Sequence, residues 1–422
     1  MKMNKAFKFR LYPDIEQQEM FAKTFGCCRF IYNKMLENKI AHYEKTKEML
    51  YATPAKYKPQ YPWLREVDSL ALCNEQLHLE TAYKNFFSGE SGFPCFKRKH
   101  DDRKSYTTNL VNGNIELEVG FLKLPKVGRV KIRQHRSIPE GYKLKSVTIS
   151  LTPTGKYYAA FLYEYEADIE PVIPSAENVV GLDFSMNGFY VSSDGVAADH
   201  PHPYRKAQSK LAREQRKLSK HKKGGKNYAK QKKKIARVCE KVKDQRMDYL
   251  HKASREIANA CDVVCIESLD MKGMSKALNF GKSVNDNGWG MFTRMLGYKL
   301  EDQGKRLVVI DKWFPSSKTC SCCGGVKSDL SLSERIYHCE RCGYTVDRDL
   351  NAARNIKNEG IRILDASYLN RGAHGDSLLN KGELWSVVFA TDETVPYSQE
   401  RSCLEALSSA NGQEALASRP LA

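Results

Sequence analysis

The chain has 422 residues, 41% hydrophobic and 28% charged, with 68 Lys and Arg against 50 Asp and Glu. This globular mixture is long enough for roughly two to four domains, which excludes a disordered chain and a small disulfide-stapled scaffold. No apolar run approaches the roughly 18 residues of a membrane span, and the first residues, MKMNKAFKFRLYPD, carry charge without an apolar signal core, so neither an integral membrane nor a secreted protein is expected.

In chain order, AFKFRLYP reads as a short strand ended by proline. A helical pattern follows, with Met20, Phe21, Phe25, Cys28, Phe30, Ile31, Met35 and Ile40 recurring at spacings of three and four. After a loop, TPAKYKPQYPW, a second helix runs through Leu70, Leu72, Leu77, Leu79, Tyr83 and Phe86. Residues 93–172 change character: KSYTTNL, GNIELEV, FLKLPKVGRVKI, LKSVTISLT and KYYAAFLYEYEA are strand-like segments separated by Gly, Pro and Asn. They predict a small antiparallel barrel or sandwich that the N-terminal strand joins, with the helical section as an insertion.

Beyond the linker PVIPSAEN the pattern is α/β. NVVGLDF, DVVCIES and RLVVIDK are continuous apolar runs suited to buried strands, and GFYVSSDG reads as a neighbour of the first. Residues 205–246 hold 18 Lys and Arg against 3 Asp and Glu, most of the chain's net charge of +18. So concentrated a field suits a polyanion. Gly224-Gly225 splits this section into two helical arms, whose thin apolar stripe (Leu211, Leu218, Ile235, Val238, Val242) must pack on something with the charge outward. A helix is predicted over 290–304. LNAARNIKNEG predicts another, with Gly360 as its C-terminal glycine. The tail over 381–422 is expected to be disordered.

The 13 cysteines include two close pairs. Cys320 and Cys323 form one C-x2-C, Cys339 and Cys342 the other, 15 residues apart. Two such knuckles turn four thiolates towards one point, the tetrahedral S4 set of a closed structural zinc. Cys322 and His338 are substitute ligands; Cys322 reads better as a spare exposed thiol. Three carboxylates stand out by position. Asp183 ends NVVGLDF, Glu267 ends DVVCIES, and Asp349 opens a helix in VDRDLNAARN. An acid closing a buried apolar strand is unusual unless paired or bound to metal. On adjacent strands the first two stand side by side, and a helix packed on the sheet brings the third. Such a cluster needs divalent cations, Mg²⁺ or Mn²⁺, and suits two-metal phosphodiester hydrolysis. Asp349 also fits an ordinary helix-capping role, for which Asp347 competes.

The order of several segments resembles the TnpB family, transposon-encoded nucleases related to miniature type V CRISPR effectors. KFRLYPDIEQQ with GCCRFIYNKMLE, LETAYKNFF with GFPCFKRK, GLDFSMNGFYVSSDG, VVCIESL, SSKTCSCCG and CERCGYTVDRDLNAARNI carry the resemblance over about residues 1–380. It implies a multidomain α+β protein. A β-barrel wedge (1–14 and 93–172) holds a helical recognition lobe (15–92). An RNase H-like (RuvC) α/β nuclease core (173–315) carries a basic helical hairpin (204–260). A zinc ribbon (316–346) and a final RuvC-like segment (347–380) follow. The implied catalytic acids are Asp183, Glu267 and Asp349, binding two Mg²⁺. The implied partners are a guide (omega) RNA from the element's end and a double-stranded DNA target, both strands of which are cut. Ser185 stands where many relatives carry Gly, a small change beside the metal site.

Candidate nucleic-acid contacts are Lys97, Arg98 and Lys99 in FKRKHDDRK, and Lys222, Lys223, Lys232, Lys233 and Lys234 in the basic arms. Tyr51, Asn112 and the residues from Ser69 to Cys73 are candidates for reading the motif beside the target, against the plainer reading of packing and turn residues. A monomer in a prokaryotic cytoplasm, associated with the nucleoid and with no membrane partner, is expected. The competing functions are an RNA-guided repressor that binds without cutting and an unguided nuclease selective for branched DNA.

Overall fold

The computed structural model describes residues 1–99, 104–186, 188–277, 281–331 and 333–372; the expected tail over 381–422 lies outside them. The chain forms two compact units, one of residues 1–169 with 210–240 and one of 170–209 with 241 onwards.

In the first unit, β1 (Lys2–Tyr12) alternates outward residues with buried Phe7, Phe9 and Leu11. Helix α1 (Ile15–Thr46) starts where a capping box allows it: Gln17 N–H donates to Asp14 Oδ1 at 2.8 Å, and Asp14 N–H donates to Gln17 Oε1 at 3.1 Å. Asp68 caps α2 (Ser69–Phe87) through the Leu70 N–H at 3.0 Å. Its other oxygen accepts from the Thr108 hydroxyl on β2 (Lys104–Asn109). The remaining strands are β3 (Glu116–Glu118), β4 (Phe121–Leu124), β5 (Gly128–Arg133), β6 (Lys143–Leu151) and β7 (Tyr157–Glu166). Their order is β2-β6-β7-β1-β5-β4-β3, with β1 central and antiparallel to β7 from Lys2↔Glu166 to Leu11↔Tyr157.

Among the described residues this sheet has β2 and β3 as its edges: the antiparallel sheet expected from the sequence is present as a half-barrel, without the closure of a full barrel or the second sheet of a sandwich. The helical insertion supplies the second layer that closure would have provided. The Phe21 ring of α1 packs at a tilt against Tyr157 (5.5 Å between centres) and Tyr106 (6.3 Å), and one core joins Phe7, Phe9 and Leu11 to Ile31, Met35, Leu72 and Leu79.

The second unit begins with β8 (Val179–Phe184), β9 (Tyr190–Ser192) and β10 (Ala197–Ala198). Helices α3 (Pro203–Ser219) and α4 (Lys226–Ala260) carry the basic section, whose residues 210–240 belong to the first unit. Then come β11 (Val263–Glu267), α5 (Met271–Ala277), α6 (Gly281–Asn287), α7 (Trp289–Glu301), β12 (Arg306–Ile310), a small hairpin of β13 (Ile336–His338) and β14 (Thr345–Asp347), and α8 (Arg348–Gly372). The five-stranded sheet has the order β10-β9-β8-β11-β12. Strands β8, β11 and β12 are parallel, with Cys265 opposite Gly181 and Ile266 opposite Leu182.

Both faces of β8 and β11 are buried, which is why they read as unbroken apolar runs; β12, at the sheet edge, leaves Val309 exposed. Val180, Leu182, Val264 and Ile266 pack with Phe292, Leu296 and Leu300 of α7. Val179, Val263, Cys265 and Val308 pack with Ile356 and Leu364 of α8. Because side chains alternate along a strand, Asp183 and Glu267 fall on the same face as Val179 and Val263, the face that α8 covers.

Two glycines bring α8 onto this face. A Cβ on Gly181 would meet the Ala353 carbonyl and lie 2.6 Å from Lys357 N, and one on Gly360 would lie 2.8 Å from Cys265 Cβ. Gly360 therefore does not end the helix, as its sequence context suggests; α8 continues through it, and the missing side chain makes room for Cys265. Gly181→Ala forces backbone apart and is expected to destabilise the protein by at least about 1–3 kcal/mol. Thermal unfolding should show a clearly lower midpoint for Gly181→Ala than for an alanine at exposed Gly290, where a Cβ meets nothing within 4 Å.

Candidate nuclease site and zinc-binding cluster

The ends of β8 and β11 place Asp183 and Glu267 on neighbouring strands, one step beyond the paired Leu182 and Ile266. Asp349 enters from the first turn of α8. The cap of α8 belongs to Asp347, whose Oδ1 accepts from the N–H groups of Asp349 (2.9 Å) and Leu350 (3.1 Å). The Asp349 carboxylate thus takes no part in that cap. Burial first, then the charges of Asp349 and Glu267, push the Asp183 carboxyl well above the usual range, with Arg348 and the Phe184 N–H opposing. Burial also raises Glu267, opposed by a hydrogen bond from the Ser316 hydroxyl at 3.4 Å. A half-buried carboxylate that feels two others is a poor anion alone and a good ligand for a hard divalent cation. An open cleft of 370 Å³ lies beside Asp349, the one of the three acids that lines it, with Asp347, Ser185, Gly188 and Asp199 among its other walls. Ser185 uses its hydroxyl to accept from Gly188 N–H at 3.3 Å, closing the turn after Asp183.

Sequence reasoning missed the residues that support this site. Asn351 and Asn355, four apart and both buried, lie on one face of α8. Asn351 donates to the Thr319 carbonyl at 2.7 Å and accepts from Ser321 N–H at 3.0 Å. Asn355 donates to the carbonyls of Ser316 (2.8 Å) and Thr319 (2.6 Å). Together they fix the segment whose Ser316 meets Glu267. Buried Asn287 donates to the carbonyls of Ser185 (3.3 Å) and Gly188 (3.2 Å), holding the other side. Its neighbour Asp286 accepts from the N–H groups of Tyr204 and Arg205, capping α3 from 82 and 81 residues away in sequence, and pairs with Arg246 at 3.3 Å. The asparagine spacing in DLNAARN was a usable signal; the reach of Asp286 was not.

The cysteines converge. Cys320, Cys323, Cys339 and Cys342 present sulfurs all within 4.8 Å of one another, with Cys320–Cys342 at 3.7 Å and Cys323–Cys339 at 3.6 Å. Among the described residues this is the one group of three or more His, Cys, Asp or Glu side chains drawn together so closely; the three acids are neighbours without closing to that degree. Each knuckle ends in a left-handed glycine, Gly324 (φ +71°) and Gly343 (φ +73°). Without a cation the four thiols share their protons unequally: backbone N–H groups of Cys342 and Arg341 lower Cys339 to about 7, while, against the Tyr344 N–H, burial and the neighbouring sulfurs push Cys342 up to about 12. Beneath the cluster lies fully buried Tyr337, donating to the Lys318 carbonyl at 3.1 Å. Cys322 is exposed and outside the group, and the His338 ring bonds Thr345 at 2.8 Å instead. Four soft donors at this spacing fit a tetrahedral zinc.

Of the residues chosen for nucleic acid, Lys222, Lys223, Lys232, Lys233 and Lys234 are exposed on the basic helices. Their two arms are tied by Gln231, which donates to the Glu214 carbonyl (2.9 Å) and carboxylate (2.8 Å). Arg98, Lys99 and Tyr51 are exposed, and Asn112 occupies a left-handed turn position (φ +51°). Between Ser69 and Cys73 those two residues are exposed, and Ala71 and Leu72 are buried. Lys97 has a structural partner: its ammonium pairs with buried Glu75, 4.2 Å over the Tyr32 ring centre. Burial works to raise the Glu75 carboxyl, but His78 and Lys97 bring it below the usual range. Lys97→Ala leaves buried Glu75 with His78 alone and is expected to destabilise the first unit by about 1–3 kcal/mol. Denaturant unfolding without nucleic acid checks this; Lys99→Ala should leave the midpoint unchanged.

No described helix is long and apolar enough to cross a membrane. Three family models match: OrfB_IS605, described as a probable transposase, over residues 160–278; the Cas12f1-like TNB domain over 289–356; and a helix-turn-helix domain of OrfB_IS605 over 1–48. A Streptomyces pristinaespiralis protein provisionally named RNA-guided DNA endonuclease is 35% identical over 368 residues, 85% of this chain and 90% of that one. The Escherichia coli K12 protein InsQ, provisionally named likewise, is 32% identical over 86% of this chain and 94% of its own. A cryo-EM structure of a Cas12f1–sgRNA–target DNA complex shares the fold, with a TM-score of 0.57 and 14% identity over 85% of this chain and 99% of that one. With a relative of this identity matched over most of both chains, and with the sequence motifs in the same order, the chain belongs to the TnpB family of RNA-guided DNA endonucleases.

Proposed function

We propose that the protein is an RNA-guided DNA endonuclease. It holds a guide (omega) RNA, recognises a short motif beside its target, and cuts both DNA strands at one site built from Asp183, Glu267 and Asp349 in an RNase H-like (RuvC) core. The observation that carries this reading is the approach of three acids from β8, β11 and α8, two of them closing buried strands and one, Asp183, raised by its burial and then by the charges of the other two.

These carboxylates would hold two Mg²⁺ or Mn²⁺ ions. Such ions, when bound, make water a nucleophile at neutral pH and neutralise the leaving oxygen. The chain's own contribution is position. Asp183 and Glu267 are fixed by strand register, Asp349 by the Asp347 cap, and Glu267 further by Ser316. Guide pairing supplies sequence specificity, so the protein needs backbone contacts and a basic surface more than base contacts. The exposed lysines of α3 and α4 serve that need, with affinity falling steeply as salt rises. The four cysteines would hold one zinc with no open position, a structural ion.

The test is to purify the protein with its co-expressed RNA, sequence that RNA, and offer plasmids carrying the guide match beside randomised flanks. Linearised plasmid, dependent on Mg²⁺ and on the RNA, supports the reading. Promoter blockage with intact DNA would leave an RNA-guided repressor, and cutting of branched DNA without RNA would leave an unguided nuclease.

A further inference from the structure

The turn after β12 leaves a large aromatic ring in solvent. Trp313 is 80% exposed, whereas Trp289 is buried. Asp311 and Lys312 beside Trp313 are exposed as well, so the ring is accessible to a ligand. The turn itself is well fixed. Trp313 N–H donates to Asp311 Oδ1 at 2.7 Å, Phe314 N–H donates to the Asp311 carbonyl at 3.1 Å, and the Phe314 ring packs into the core beneath α8. Lys312 places its ammonium 4.9 Å from the Trp313 ring centre, so cation and ring form one unit.

The position of this unit is what gives it a ligand. Strands β8, β11 and β12 are consecutive and parallel, so their C-terminal ends stand in a row. Asp183 ends the first and Glu267 the second, and the Trp313 turn follows the third. Three residues beyond Trp313, Ser316 touches Glu267. An extended strand crossing these ends would meet the acids and then the indole within about two strand spacings, ~10 Å, close to one or two nucleotides.

We infer that Trp313, with Lys312, is a stacking platform for a base of the single DNA strand drawn into the acid site. The inference rests on the nuclease reading above. A flat ring stacks on any base, and the ammonium attracts the phosphate beside it, so the contact is blind to sequence. That suits a protein whose specificity comes from a guide.

The experiment compares wild-type protein, Trp313→Ala, Trp313→Phe and Asp183→Ala, each purified with guide RNA. Binding of a fluorescent deoxythymidine oligonucleotide and single-turnover cleavage of a matched duplex are the readouts. Trp313→Ala should weaken oligonucleotide binding by roughly 5- to 150-fold, one stacked base, and slow cleavage. Trp313→Phe should recover most of both, with guide affinity and melting temperature unchanged. The inference is overturned if Trp313→Ala binds and cuts like wild type while Asp183→Ala is inactive. It is equally overturned if Trp313→Ala weakens only the guide RNA, or lowers the melting temperature of the nucleic-acid-free protein, since the ring would then face RNA or its own chain. Failure of the nuclease reading looks different: wild type would not cut, yet the tryptophan-dependent oligonucleotide binding would persist.

Discussion

Alanine at Asp183, Glu267 or Asp349 is expected to lower target cleavage by roughly 10³-fold or more, with each single loss close to the loss of all three, because the residues act as a unit. Guide binding should be unchanged. The same variants carry a stability signature. The Asp183 carboxyl binds its proton more tightly in the folded chain than in the unfolded one, where its value is about 3.9. Without cations the fold is therefore favoured at low pH, and that advantage fades as pH rises through the folded value. At neutral pH, Asp183→Asn should raise the melting temperature in EDTA while abolishing cleavage. Added Mg²⁺ should raise the melting temperature of wild type far more than that of Asp183→Asn. Equal stabilisation of both by Mg²⁺ would mean that the cation binds elsewhere.

Zinc removal is expected to have the second-largest effect. A closed four-thiolate site contributes on the order of 10 kcal/mol to local folding, far more than the small core around Tyr337 and Val346 supplies. Chelation, or Cys339→Ser, should unfold the hairpin of β13 and β14 and loosen the segment from Ser316 to Ser321. Asn351 and Asn355 then lose their partners, and Glu267 loses Ser316. Cleavage should fall at least tenfold, as when outer supports of a metal site are removed, while guide binding remains. One zinc per chain should be released by a thiol-blocking reagent. Cys322→Ser and His338→Ala should keep both the zinc and the activity; loss of zinc from either would redraw the ligand set.

The convergence of the cysteines was legible because their chemistry is local, and the strand-end acids were singled out on the same ground. An acid closing an apolar strand, and two C-x2-C pairs, stand out in any reading of the chain. The central strands were legible for the same reason: burial on both faces writes itself as unbroken Val, Ile and Leu. What stayed hidden depended on tertiary neighbours. Asp347 and Asp349 look equivalent at a helix start, and only the turn into α8 decides that Asp347 caps it. Gly360 looked like a helix end because a glycine that stops a helix and one that admits a neighbouring side chain are the same letter; Cys265 makes the difference. Lys97 sits in a basic run that suits a polyanion, yet Glu75, 22 positions away, takes its ammonium. The open first sheet was hidden too, since strand periodicity says nothing about whether the edges meet.

The shared cation site is tested most directly by anomalous scattering from the guide-bound protein crystallised with Mn²⁺ and an uncut DNA substrate. Two peaks about 3.5–4 Å apart, each touching Asp183 and at least one of Glu267 and Asp349, are the expected result. Manganese bound away from Asp183, or a fully occupied complex with no peak among the three carboxylates, would contradict it.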